Sequence, residues 1–145
     1  MKKIIILCTS LTALIYATVP NLKLLNFIDV STQLEWQQTE LSNQKSKTWK
    51  SAVSYCDNLD LNAKKDWRLP NLIELTSLVD DQYSDPAVSE RLRKTTMFGG
   101  ENYYWTSTSF ASSLDNAWFV GFHAGNQSNG NKIESHYVRC VRSTK

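Results

Sequence analysis

The residues that most constrain the fold of this chain are Asp-Trp-Arg-Leu-Pro-Asn-Leu-Ile-Glu-Leu at positions 66–75. Pro70 fixes its own φ and favours extended backbone in the residue before it, so the run begins as an extended segment. Asn71, with Glu74 three positions later, forms a variant of the capping box found at helix N-termini. The apolar residues that follow recur at helical spacing. We therefore predict an extended segment leading directly into an amphipathic helix over residues 71–79.

The start of the chain has the pattern of an export signal. A short basic stretch at residues 1–3 precedes an apolar run over residues 4–17. This run is shorter than the roughly 18 apolar residues that a membrane-spanning helix needs. We expect a signal peptide over residues 1–17 and a single domain over residues 18–145, because the remaining chain is long enough for one core and too short for two. The expected location is the periplasm, the cell surface or the medium, with no membrane span after cleavage.

Charge and cysteine content narrow the range of functions. The whole chain has 16 basic and 14 acidic residues, and loss of Lys2 and Lys3 with the signal peptide brings the two totals level. A protein without a net basic field is not expected to bind nucleic acid. Loss of Cys8 leaves Cys56 and Cys140. In an oxidising compartment this pair favours a disulfide, and two buried thiols are the alternative.

Hydrophobic periodicity predicts the first half of the domain. Residues 27–38 have the alternation of a hairpin whose Leu34 and Trp36 face inward. Apolar residues then recur at helical spacing over residues 49–59, after Thr48 as a helix cap, which places Cys56 on the buried face of a first helix.

The second half is predicted to be richer in strands. Residues 87–102 indicate a long loop with one helical turn, and residues 103–108 a strand. Residues 116–124 and 135–142 are expected to be two strands joined at Asn129-Gly130, a common hairpin turn. That register would pair position 123 with 136 and position 119 with 140, in a hairpin covered on both faces.

The landmarks of the chain occur in a specific order. They are residues 34–37, 55–56, 67–70 with 74–75, and 104–108 followed by 117–118 and 137–142. Together they resemble the Lcl C-terminal domain family, a bacterial family of unknown function named after a collagen-like adhesin, over about residues 27–142. The resemblance implies an α+β, C-type-lectin-like fold, with two helices flanking a mixed, mostly antiparallel sheet with long loops. It also implies a disulfide from the first helix to the last strand, which suits Cys56 and Cys140.

The chain departs from well-known members of this broad fold. It lacks the Glu-Pro-Asn or Gln-Pro-Asp loop of calcium-dependent lectins, and it has no collagen-like stalk. The fold is also similar to that of formylglycine-generating enzymes, which use a pair of active-site cysteines, whereas both cysteines here are expected in one bridge. We therefore expect no enzyme activity and no cofactor. A catalytic remnant of the formylglycine-generating type and a structural domain of the cell envelope are the alternatives.

The predicted function is an exported, non-catalytic binding module for a glycan or a surface protein, with its oligomeric state left open. We expect its ligand-binding residues in the loop over residues 83–102 and in the polar turn over residues 125–132. They are Tyr83, Arg91, Arg93, Lys94, Asn126, Asn129 and Lys132. The basic side chains of the loop suit sulfated glycans or phosphate, and a solvated helix face explains them equally.

Three further side-chain groups are assigned mainly to structure. His123 and His136 would be cross-strand neighbours in the predicted hairpin, but no third metal ligand is identifiable. Asp80, Asp81 and Asp85 offer oxygen ligands for calcium in a spacing unlike that of an EF-hand, so no metal site is predicted. Four aromatic residues on strands are more typical of a core, and we expect one of them at most to face a ligand. They are Tyr103, Tyr104, Trp105 and Trp118.

Overall fold

The structure, a computed structural model, describes residues 26–39, 43–97 and 102–145. The predicted signal peptide and its cleavage site lie outside these residues. The elements, in chain order, are β1 (Asn26–Asp29), β2 (Leu34–Gln37), α1 (Trp49–Asp57), α2 (Leu72–Thr76), α3 (Glu90–Arg93), β3 (Tyr103–Phe110), β4 (Ser113–Gly121), β5 (Asn126–Asn131) and β6 (Val141–Ser143). The predicted α+β class is confirmed. No helix within the described ranges is long and apolar enough to cross a membrane.

The strands form two separate sheets. Within the described residues there are two three-stranded antiparallel sheets, ordered β1-β2-β6 and β3-β4-β5, and three short helices. The expected arrangement of two helices flanking one mixed sheet is not what the structure shows. The two sheets are not joined by a continuous ladder, because Tyr137, which precedes β6, meets β3 through a single bridge to Tyr104.

The register predicted for the C-terminal hairpin is wrong. β4 pairs with β5, which places Phe119 opposite Ser128, and the tight turn lies at residues 122–125. Gly125 supplies the left-handed backbone conformation of this turn, with φ at +71°. His123 and His136 are therefore not cross-strand partners.

Gly130 has a different role from the predicted one. It lies within β5, where a Cβ would come within 3.0 Å of Phe119 Cε1 and 2.6 Å of Glu134 Oε2. The Glu134 side chain is exposed and can move aside, whereas the buried Phe119 ring restricts what residue 130 can carry. Glycine is needed here for close approach and not for a turn.

The predicted N-terminal hairpin and first helix are confirmed. β1 and β2 pair antiparallel, Leu34 and Trp36 are buried, and α1 carries Cys56 on its buried face. The helical turn predicted in residues 87–102 is α3. The second helix begins where predicted, with a complete capping box between Asn71 and Glu74, but it ends at Thr76.

Tertiary hydrogen bonds explain the early end of α2. Val79 forms a bridge with Val88, and Asp80 N donates to Ala87 O at 3.0 Å. These bonds draw the backbone after Thr76 into a short ladder with the segment before α3. A longer helix would have to give up this pairing.

The β3-β4-β5 sheet separates two hydrophobic clusters. The first contains Trp36, Leu75, Tyr104, Val120 and Phe122, and the second contains Ala52, Cys56, Trp105, Phe119 and Cys140. Buried apolar side chains project from both faces of β4, as predicted. Burial of a large apolar side chain stabilises a fold by about 1.5–3 kcal/mol, so both clusters contribute to the stability of the domain.

The predicted disulfide is confirmed. Cys56 and Cys140 are bridged across a sequence separation of 84 residues. Gln37 reinforces the junction, because its N–H donates to Cys140 O at 2.9 Å and its Oε1 accepts from Cys140 N at 3.1 Å. The bridge therefore ties α1 to the terminal sheet.

Candidate functional site

A groove of about 620 Å³ opens between the β1–β2 hairpin and residues 77–92. Its floor consists of Phe27, Leu78 and Leu92, all three buried in the first hydrophobic cluster. A floor that belongs to the core holds its shape, so the groove is preformed. We call it the β1 groove.

One wall of the β1 groove exposes apolar side chains. Ile28 and Val30 line it and are 47% and 75% exposed. Aliphatic side chains exposed at the edge of a concave surface are typical of contact sites for other molecules. They extend the apolar floor towards solvent.

The charged lining of the β1 groove is mainly acidic. Asp29, Asp80 and Asp81 line the groove, and Arg91 is the one cation among the lining residues. Arg91 places its guanidinium 5.2 Å from the centre of the Phe27 ring, and it makes no ion pair with a described residue. The formal charge of the lining is therefore negative.

Hydrogen bonds orient two of these carboxylates. Asp29 Oδ1 accepts from Ser31 Oγ at 2.6 Å and from Ser31 N at 3.0 Å. Burial raises the pKa of Asp29, but hydrogen bonds from Ser31 and Thr32 outweigh it and leave the pKa below the ordinary value of 3.8. Asp80 Oδ1 accepts from Gln82 N at 3.1 Å. The Asp29 carboxylate is thus ionised at neutral pH.

Arg93 holds the loop over residues 83–86, which lies beside the β1 groove. This guanidinium donates to Pro86 O at 3.2 Å and to Asp85 O at 3.5 Å, and it lies 5.9 Å from the centre of the Tyr83 ring. Asp85 also approaches His123, with 3.1 Å between Oδ1 and Nδ1. Arg93 therefore supports the loop, while Tyr83 keeps 40% of its surface exposed.

A comparison with known families identifies the chain. The sequence profile of the Lcl C-terminal domain matches residues 26–142, which is most of the chain. The chain belongs to the Lcl C-terminal domain family. The resemblance seen in the ordered landmarks is thereby confirmed. No curated protein matches the chain significantly.

In this Lcl C-terminal domain, the predicted ligand-binding residues lie in different surroundings. Arg91 lines the β1 groove, Tyr83 lies on the loop beside it, Arg93 is the last residue of α3, and Lys94 is exposed just after it. Their surroundings differ, so the three basic side chains do not form one uniform patch.

The other predicted ligand residues are on or just after β5. Asn126 is exposed and Asn129 is half-buried. Lys132 links β3 and β4, because its Nζ donates to Leu114 O of β4 at 2.7 Å and to Ser109 Oγ of β3 at 2.8 Å. It also lies 4.4 Å from the centre of the Trp49 ring.

Sequence reasoning missed the hairpin wall of the β1 groove. Ile28, Asp29 and Val30 had no assigned role beyond the hairpin itself. Ile28 and Val30 could have indicated this wall, because a hairpin that faces only solvent does not need two apolar residues beside its turn. Their packing beside residues 77–92 depends on the tertiary structure.

His123 and His136 lie in different parts of this Lcl C-terminal domain. His123 approaches Asp85, whereas His136 Nε2 lies 3.3 Å from Glu134 Oε2 and its ring packs 4.4 Å from Trp105. In the part of the chain that the structure describes, no three His, Cys, Asp or Glu side chains are grouped to hold a metal ion.

Proposed function

We propose that this Lcl C-terminal domain is an exported, non-catalytic binding module, and that its β1 groove takes a segment of a partner protein with basic and apolar side chains. The observation that carries the proposal is the lining of the groove, where exposed aliphatic residues stand beside carboxylates. Apolar side chains of a partner suit Ile28 and Val30, and Lys or Arg suits Asp29 and Asp80.

The same lining argues against a polyanion in this groove. The lining contains three carboxylates and one guanidinium, so a sulfated chain would meet more repulsion than attraction. Arg91 is then better suited to orient an acidic side chain or a carbonyl of the partner.

The cysteine chemistry supports a binding role over the catalytic alternative. A formylglycine-generating mechanism needs a pair of active-site thiols. Cys56 and Cys140 are the cysteines of the described residues, and both are in one buried disulfide.

We further infer a C-type-lectin-like fold. Its support is that strands from the two ends of the domain share one sheet, with β2 between β1 and β6. The disulfide from α1 to the segment before β6 also agrees with the implied pattern. An experimental structure that fails to superimpose on lectin-like domains would reject this inference.

The binding proposal is tested with ten-residue peptides that alternate leucine with lysine, glutamate or serine. The lysine peptide is expected to bind most tightly, with an affinity that falls as salt rises. An Asp29→Asn, Asp80→Asn double variant should weaken it by about tenfold, which corresponds to about 1.4 kcal/mol.

The matched control changes two carboxylates outside the groove, Asp57→Asn and Asp60→Asn, and so removes the same charge. Isothermal titration calorimetry measures the affinity, and NMR shift changes locate the site. Equal losses in the two double variants, or equal binding of the glutamate peptide, would reject the groove as the site. Export is tested separately by N-terminal sequencing of the protein from the periplasm, which is expected to begin at Thr18.

A further inference from the structure

Trp118 differs from the other tryptophans of the domain. Trp49, Trp67 and Trp105 each donate the indole N–H to a backbone carbonyl, and Trp36 is fully buried. Trp118 is half-buried, and its N–H makes no hydrogen bond with a described residue. The described residues therefore leave this N–H without a hydrogen-bond partner.

Trp118 stands on a strand that is held firmly by its buried neighbours. Its neighbours Ala117 and Phe119 point to the opposite face of β4 and are buried in the second hydrophobic cluster. β4 is the central strand of its sheet and pairs on both sides. The indole therefore stands on a backbone that cannot easily move.

Neutral polar side chains border the indole. Asn129 lies directly opposite Trp118 on β5, and Asn116 Nδ2 donates to Asn129 Oδ1 at 3.1 Å. Asn116 Oδ1 and Asn129 Nδ2 have no partner among the described residues, so one acceptor and one donor remain beside the ring. Gln127 follows on the same face of β5.

A second aromatic ring completes the surface. Phe110 packs edge-on against Trp118, with 5.5 Å between ring centres. Gln127 also lines a shallow cavity of about 380 Å³ with Leu72 and Ile73 of α2. We call the surface formed by Phe110, Asn116, Trp118, Gln127 and Asn129 the Trp118 face.

We propose that the Trp118 face binds an uncharged glycan chain. A sugar ring presents C–H groups that pack on an aromatic ring and hydroxyls that pair with amide donors and acceptors. None of the five side chains is charged, which fits a neutral ligand and disfavours a sulfated one. The surface shares no residue with the β1 groove, so this proposal does not depend on the proposed function of that groove.

The test uses the purified mature chain with neutral hexasaccharides of glucose, mannose, galactose and N-acetylglucosamine, and with a sulfated hexasaccharide for comparison. NMR shift changes and calorimetry measure binding. At least one hexasaccharide is expected to bind with an affinity that salt does not change. Trp118→Ala should weaken it by about tenfold or more, and Asn129→Ala by a smaller factor.

Control variants separate binding from folding. Trp118→Phe keeps an aromatic ring and should retain part of the affinity, and it covers the case in which Trp118→Ala does not fold. Asp29→Asn in the β1 groove should leave sugar binding unchanged.

Three results would overturn the proposal. They are no binding of any hexasaccharide at millimolar concentration, binding that is unaffected in both Trp118→Phe and Asn129→Ala, and binding only to sulfated chains. Self-association that Trp118→Ala abolishes, without sugar binding, would instead assign this face to a protein contact.

Discussion

Arg142 Nη1 of β6 lies 2.6 Å from Glu35 Oε2 of β2, and the Glu35 side chain is fully buried. Lys64 Nζ approaches both oxygens of the same carboxylate at 2.7 Å, and Arg142 also binds Asp66. Burial raises the pKa of Glu35, but hydrogen bonds from Lys64, Arg142 and Asn26 outweigh it and hold the pKa below its ordinary value. This network joins the terminal sheet to the turn before the Trp-Arg-Leu-Pro segment.

Loss of the Glu35 charge should destabilise the domain. Glu35→Gln leaves Arg142 and Lys64 without their shared carboxylate, and breaking a buried ion pair from one side costs about 3 kcal/mol or more. Urea unfolding measures the change. Asp60→Asn, which breaks the exposed pair with Lys65, should have no measurable effect. Similar midpoints for the two variants would contradict a buried role for Glu35.

The same network predicts how stability depends on pH. Because the pKa of Glu35 is lower in the folded state, its contribution is complete above the unfolded pKa, near 4.5, and is lost as pH falls through the folded pKa. The Glu35→Gln variant has no titratable carboxyl group at this position, so its stability does not fall for this reason. The difference in unfolding free energy between wild type and variant should therefore shrink below pH 4.5, as urea titrations at several pH values can show. A constant difference down to the acid limit of folding would speak against the lowered pKa.

Removal of the disulfide should be costly because the loop it closes is long. A Cys56→Ala, Cys140→Ala double variant should lose about 4–5 kcal/mol of unfolding free energy in the chain-entropy model. Urea unfolding with and without reductant measures this loss. Reductant should lower the midpoint of the wild type and leave that of the variant unchanged. An insensitive wild type would show that the bridge does not form in solution.

The capping box should contribute to the stability of α2. Asn71 Oδ1 accepts from Glu74 N at 2.8 Å, so Asn71→Ala should cost about 1 kcal/mol. Asn71→Asp keeps the acceptor and is the matched control, with stability close to wild type. Thermal unfolding measures both. The capping role is rejected when the two variants lose the same stability.

Gly125 should tolerate no side chain. Gly125→Ala places a Cβ 2.5 Å from Val79 Cγ1 in a residue whose φ is +71°, so it should cost more than about 1 kcal/mol. Adding Val79→Ala relieves the clash but not the backbone strain. Urea unfolding of the single and double variants separates the two causes. If Gly125→Ala has the same urea midpoint as the wild type, the turn must adopt another conformation.

Features that depend on neighbouring residues were predictable. Pro70 and Asn71 set the start of α2, the helical spacing over residues 49–59 set α1, and the alternation over residues 27–38 set the first hairpin. Of the predicted ligand-binding residues, only Arg91 lines the β1 groove, and Asp80 and Asp81, which line it too, were considered only as calcium ligands.

Features that depend on distant contacts were not predictable. Asn129-Gly130 has the composition of a turn, yet the approach of Phe119 to Gly130 places it inside a strand. The wall of the β1 groove and the end of α2 likewise follow from the packing of residues 77–92.

The sequence by itself determined the α+β class, the family, the two cysteines that pair and the places where the first two helices begin. These depend on residue order and on interactions within one or two turns of the chain. Only the tertiary structure decided the two sheets, the register of β4 with β5, the β1 groove and the exposure of Trp118. Each of these depends on which distant side chains meet, and local propensity carries no information about that.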